Sequence, residues 1–231
     1  MPLGRVFWQC AKDGCHVHPF YHHTDMTMDF IETLSDLRAV YGDASEIARK
    51  KQLAKLDTHS RNFLSKSPFV VIGSQDGMGL GDATPKGDAP GFTLVLDDTT
   101  IAIPDRPGNN RLDTWENVIR NPAVGLLFLI PGMQETLRIN GRGRLTIDPD
   151  LCERLAMNGR PAKAALVVET DEVYMHCAKA FMRSNLWKPD SWPARSEMPT
   201  FGEIIRDQMQ LAASAEDIDR NLAEGYQKTM W

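Results

Sequence analysis

The sequence predicts an α+β domain in which about six mostly antiparallel strands form a barrel-like sheet, with helices before, within and after it. Three observations carry this. Short β-rich runs recur between residues 68 and 177, and most of their connections are brief. Helical periodicity flanks them at 27–66 and 199–231. The composition is that of a chain with a full core: 231 residues, 42% hydrophobic and 25% charged.

Residues 1–25 read as an irregular extension ahead of one domain over 26–231. The run 27–42 places Phe30, Ile31, Leu34, Leu37 and Tyr41 at helical spacing. Asp29 and Glu32 fall in its first turn, and Gly42 is a stop signal. A second helical stretch covers about 44–66, with a break near Asp57 and with Leu53, Leu56, Phe63 and Leu64 facing inward. "PFVVIGSQ" (68–75) is a buried strand, and 79–92 begins as a strand and dissolves into Gly/Pro-rich loop. "TLVLDDTTIAIPD" (93–105) is a hairpin around Asp97 and Asp98. A loop at 106–112 leads into a helix that Pro122 ends, with Leu112, Trp115, Val118 and Ile119 on one face. Strands follow at 123–132, 135–147 and 164–177, with a helix at 149–157 between the last two. Helices are expected at 178–187, at 199–212 behind Pro199 and Thr200, and at 215–231.

Composition excludes several function classes. A net charge of −5 argues against broad nucleic-acid binding, which wants a basic face. The longest apolar run, "VGLLFLI" (124–130), is too short to span a bilayer. The first residues lack the apolar stretch of a secretory signal, and four unevenly spaced cysteines make no disulfide framework. The expectation is a cytoplasmic protein. "CAKDGCHVHPFYHH" (10–23) concentrates Cys10, Cys15, His16, His18, His22 and His23, yet its spacing matches no structural zinc signature. No metal site is expected there.

Two stretches have the chemistry of a binding site. In "IPDRPGNNRLD" (103–113), Arg106 and Arg111 flank a Gly-Asn-Asn turn, and Lys86 in "TPKGD" is a third cation. Guanidinium forks and exposed N–H groups suit a phosphate monoester. On composition alone, solvated loop arginines are the simpler reading. In "HCAKAFMRSNLW" (176–187), Lys179, Arg183 and Trp187 stand at i, i+4 and i+8 and would share one helical face suited to an electron-rich ring. A core tryptophan with solvated cations is the plainer alternative. No G-x-G-x-x-G turn, Walker A motif or G-x-S-x-G elbow is present.

Together "DATPKGDAPGF", the run 101–132, "ETLRINGRGRL" and "HCAKAFMRSNLW" resemble the pyridoxamine 5′-phosphate oxidase-like, FMN-binding split-barrel superfamily over roughly 30–210. The branch it is most similar to holds FMN-dependent enzymes of unsettled substrate. The resemblance implies a six-stranded antiparallel split β-barrel with peripheral helices. It implies a homodimer holding FMN at the subunit interface, and flavin redox chemistry on a small molecule, with neither nucleic acid nor membrane as partner. By the same resemblance Lys86, Arg106 and Arg111 hold the FMN phosphate, with Asn110 beside them. Pro104 and Asp105 stand where the family often has a small hydroxyl residue, so Asp105 would orient an arginine. Thr136 stands where a glutamine reaches the flavin. Trp187, with Lys179, Arg183 and Ser184, matches the group that the partner subunit brings over the ring. The Arg-x-His cluster that takes substrate phosphate in the oxidase is not found. Alternatives within the fold are an F420-dependent reductase, or a non-catalytic flavin- or haem-binding protein with His176 or a histidine of 16–23 as haem ligand.

Overall fold

The computed structural model describes residues 28–230. The chain divides into two compact units between Ser45 and Glu46. The described part of the first unit holds one helix, α1 (Leu34–Tyr41). It begins later than the periodicity suggests because Thr33 accepts the Asp36 N–H at 3.1 Å and fixes the N-cap there. The cysteine and histidine cluster of residues 10–23 lies outside the described residues. Among the described residues, no group of three or more His, Cys, Asp or Glu side chains is placed to hold a metal ion.

The second unit begins with α2 (Glu46–Lys50) and α3 (Thr58–Leu64). The break expected near Asp57 is the N-cap of α3, where its carboxylate accepts the Ser60 N–H at 2.8 Å. Leu56, Phe63 and Leu64 are buried, but Leu53 is exposed, and its backbone forms an isolated bridge to Val173. Then come β1 (Phe69–Gln75), β2 (Gly81–Gly87), β3 (Leu94–Val95) and β4 (Thr100–Pro104). They are followed by α4 (Asp113–Arg120), β5 (Ala123–Leu129), β6 (Thr136–Thr146) and α5 (Pro149–Arg154). The chain ends through β7 (Ala165–His176), α6 (Lys179–Ser184), α7 (Phe201–Met209) and α8 (Ala215–Thr229).

All ladders are antiparallel, in the order β2-β1-β5-β6-β7-β4-β3. This corrects the six-stranded barrel in two respects: the sheet has seven strands, and it is not closed. The hairpin's first arm pairs with β4 only through Leu94 and Val95, and it forms one edge, while β2 forms the other. Alternation sets the core. In β1, Val70 and Ile72 point inward, and Leu126, Phe128, Leu137, Ile139, Ile101 and Val168 join them from neighbouring strands. Each such side chain contributes about 1.5–3 kcal/mol by leaving water.

The "R-x-N-G" bend is a β-bulge. Asn140 pairs with Glu172 and Gly141 with Thr170, which leaves Asp171 unpaired. Gly141 is required there, because a Cβ would fall within the contact distance of the Glu169 carbonyl oxygen.

Helix α4 departs from its expected face. Trp115 and Val118 are buried, but Leu112 and Ile119 are exposed. Two polar residues take part of the inner face instead. Asn117 donates to Ser74 Oγ at 3.1 Å, and Thr114 donates to Asp82 Oδ2 at 3.3 Å. These bonds dock α4 on β1 and β2 and bring its N-terminus beside Lys86.

Candidate functional site

A pocket opens where β2, the 105–112 loop and the start of α4 meet. Its volume is about 80 Å³. That is well below the ~300 Å³ at which pockets take a drug-sized ligand, and it matches a phosphate-sized group. Lys86, Asp105, Arg106, Asn110 and Arg111 line it. The structure therefore brings together five of the side chains that the sequence singles out.

The backbone explains why they converge. The Asp105 N–H donates to the Ala164 carbonyl at 2.9 Å, which continues the ladder one residue past β4 and sets where the loop departs. Asp88, just after β2, donates its N–H to Pro68 O at 3.0 Å. Asn110 has a positive φ of 58°, tolerated by asparagine, and Asn109 Oδ1 accepts the Arg111 N–H at 3.0 Å. Leu112 is the N-cap of α4 and offers no side-chain acceptor. The first-turn N–H groups of α4 thus stay available at the pocket, with the positive end of the helix dipole.

Each cation has a carboxylate beside it. Lys86 Nζ lies 3.8 Å from Asp105 Oδ1 and 4.6 Å from the centroid of the Trp115 ring. Arg106 Nε donates to Asp88 Oδ2 at 2.5 Å, and the Asp88 side chain is only 1% exposed. Arg111 Nε donates to Asp113 Oδ2 at 2.5 Å, and this bond holds the guanidinium above its usual value. The three sites differ in burial. Lys86 and Arg106 have side chains 24% and 21% exposed, whereas Arg111 is 77% exposed. Burial strengthens the first two as anion ligands, because solvent screens the third. Asp88 and Trp115 were not legible as site residues: one lies in loop sequence, and the other reads as core.

The other five predicted residues do not line this pocket. Thr136 is 1% exposed and stands opposite His176 at the start of β6. Lys179, Arg183 and Ser184 belong to α6, but Trp187 does not, so the single face at i, i+4 and i+8 is not formed. The helix stops because Asn185 adopts the left-handed conformation with φ 51°. The Trp187 ring stacks on Phe181 at 5.8 Å, and its Nε1–H donates to Met133 O at 2.8 Å. Ser184 Oγ donates back to Phe181 O at 3.3 Å.

His176 ends β7 beside Tyr174, whose hydroxyl accepts from Arg138 at 3.0 Å. Burial holds the His176 imidazole below its usual value, and the charges of Arg138 and Lys51 push the same way. The neutral ring is the form favoured by folding. The stability that it contributes is therefore present above the unfolded pKa of ~6.5, and is lost as pH falls from there through the lower folded value. Replacing Arg138 by Gln is expected to raise the His176 midpoint in an NMR titration. A midpoint that stays put would show that Arg138 is not felt at the ring.

The sequence model of a family described as pyridoxamine 5′-phosphate oxidase matches residues 56–177. Among solved structures, the chain is similar to a protein from Lactobacillus delbrueckii described as a candidate pyridoxamine 5′-phosphate oxidase. The identity is 21% over 54% of this chain and 98% of that one, with a TM-score of 0.43. It is also similar to a Clostridium acetobutylicum protein related to general stress protein 26, of the pyridoxinephosphate oxidase family. There the identity is 16% over 51% and 85% of the two chains, with a TM-score of 0.40. An FMN-binding protein from Syntrophomonas wolfei is 12% identical over 62% and 97%, with a TM-score of 0.39. No curated protein sequence matches the chain.

Proposed function

The chain belongs to the pyridoxamine 5′-phosphate oxidase family, and on that premise we propose that it is a homodimeric FMN-binding protein and an FMN-dependent oxidoreductase acting on a small molecule. One observation carries the reading: Lys86, Arg106 and Arg111 converge with the uncapped start of α4 on a pocket of phosphate size. A phosphate monoester carries about −1.5 to −2 charges near pH 7 and accepts several hydrogen bonds, which this donor set can supply.

When bound, FMN supplies hydride and electron transfer. The chain's own part is to hold and orient. Lys86, kept in place by the Trp115 face and Asp105, offers its ammonium to the phosphate. Arg106 is fixed through Nε by Asp88, so the rest of its guanidinium is the part left to offer. Arg111 is the exposed member and the easiest to turn from its carboxylate to a ligand. Lys179, Arg183, Ser184 and Trp187 complete the proposal as contacts to the ring, reaching it from the partner subunit, whereas Thr136, buried at the start of β6, is left out of it. A cytoplasmic setting accords with the free thiols of Cys152 and Cys177. No helix among the described residues is long and apolar enough to cross a membrane.

The test is flavin titration of the purified full chain, read by flavin fluorescence, with F420 in parallel and the mass read by light scattering. FMN is expected to bind and the mass to be that of a dimer. Lys86→Ala is expected to weaken FMN by about 1.5–3 kcal/mol, roughly 10- to 100-fold. Arg111→Ala should weaken it less, and Asp105→Asn should tighten it by removing a negative charge from the pocket. Binding of F420 alone, a haem spectrum, or no flavin binding would overturn the reading.

A further inference from the structure

A second cavity lies on the other side of the Arg106 loop. The segment Arg106–Asn109 forms one wall, and one face of α8, from Asn221 through Gly225 and Tyr226 to Met230, forms the other. Its volume is about 720 Å³, inside the ~300–1,000 Å³ range of small-molecule sites. A smaller cavity of about 260 Å³ shares Arg106, Pro107 and Met230 with it and adds Arg160 and Lys163.

Gly225 is the informative residue. It sits inside a 15-residue helix, where glycine costs ~1 kcal/mol relative to alanine. Neither of the usual structural reasons applies: its φ is not positive, and a Cβ built there would meet nothing within 4 Å. Gly225 lines the cavity and a side chain built on it would point into open space, so a large side chain at this position would occupy the cavity.

We propose that α8 and the Arg106 loop frame a ligand site for a small apolar ring bearing a carboxylate or similar anion. The ring is accommodated by Leu222, Tyr226, Met230 and Pro107, which supply apolar and aromatic surface. The anion is matched to Arg106. Its Nε is held by the Asp88 carboxylate, which also lines the cavity; this fixes the guanidinium and leaves its remaining N–H groups to donate to an anion there. Lys163 and Arg160 line the adjoining cavity together with the carboxylate of Asp105. The site adjoins the phosphate pocket of the FMN reading, with which it shares Arg106, but its ligand chemistry is argued from its own lining.

The experiment uses the full chain with benzoate as probe and benzamide as its uncharged counterpart, read by saturation-transfer NMR and by titration. Benzoate is expected to bind, with benzamide at least tenfold weaker. Gly225→Phe fills the cavity from the helix face and is expected to cut benzoate binding at least tenfold while leaving Tm unlowered and FMN titration unchanged. Asn221→Trp, one turn earlier on the same face and exposed, is the independent second variant and is expected to do the same. Absence of benzoate binding, equal binding of benzamide, or unchanged benzoate binding in the filled variants would overturn the proposal. Loss of FMN binding in the wild type, with benzoate still bound and still displaced by the filled variants, would instead remove the flavin reading and leave the α8 site.

Discussion

Replacing Arg106 by Ala is expected to destabilise the protein by about 3–5 kcal/mol, well beyond the loss of one surface charge. The reason is Asp88. Its side chain is 1% exposed, and one oxygen accepts from Arg106 Nε while the other accepts the Ala89 N–H at 2.6 Å. Without the guanidinium, the Asp88 carboxylate keeps one backbone donor, the Ala89 N–H, and loses its only charged partner. The cost thus resides in the stranded partner, and a second substitution can remove it. Asp88→Asn in the Arg106→Ala background is expected to recover a large part of the lost stability, because a neutral amide tolerates burial. Urea denaturation of the two single variants and the double variant measures this directly. A loss below about 1 kcal/mol for Arg106→Ala, or a double variant no better than the single, would show that the pair is not a buried one in solution. Arg106→Ala also removes the ligand shared by the phosphate pocket and the α8 cavity, so FMN binding is expected to fail with stability.

How far the sequence foretold this arrangement depends on the kind of signal. The strands were legible because alternation and β-branched runs report a half-buried sheet, as in Val70 and Ile72 of β1. Helix starts were legible where a cap is chemically marked, as at Thr200, whose hydroxyl accepts the Glu203 N–H at 3.1 Å. Lys86, Arg106 and Arg111 were legible as candidates because charge on a glycine-containing loop is conspicuous. Their carboxylate partners were less so. Asp88 lies 18 residues from Arg106, and only the fold brings them together. The end of α6 was missed although Asn185 is itself a stop signal, because Lys179, Arg183 and Trp187 at helical spacing suggested that the helix runs past it. Both arms of the 93–105 hairpin were legible as strands; what the sequence did not show is that β3, paired over only two residues, and β2 remain as the edges of an open sheet. The apolar stripe of α4 was misplaced because Thr114 and Asn117 satisfy partners on β1 and β2 that no helical period encodes.

Gly141→Ala is expected to be the more damaging of two neighbouring glycine substitutions on β6. A Cβ at 141 meets main-chain atoms of Glu169 and Thr170 in the adjacent strand, which cannot rotate away. At Gly143 the nearest atom is the Leu166 Cδ1 at 2.9 Å, the end of a side chain that can shift. Overpacking of the second kind costs about 1–3 kcal/mol, and the first kind should exceed that. The β6–β7 ladder runs the full length of β6, from Thr136 to Thr146, and its bulge lies at Asn140 and Gly141. Forcing the strands apart there also loosens what the bulge positions. Asn140 Nδ2 donates to Glu172 Oε2 at 2.9 Å, and Gln52 Nε2 donates to Glu172 Oε1 at 2.6 Å, tying the segment after α2 to the sheet. Thermal unfolding of both variants decides it. At ~2–4 °C per kcal/mol for a chain of this size, Gly141→Ala should lower Tm by more than about 6 °C and by more than Gly143→Ala does. Equal or reversed shifts would mean that β7 can yield at the bulge, and that the close approach of the two backbones is not what keeps position 141 a glycine.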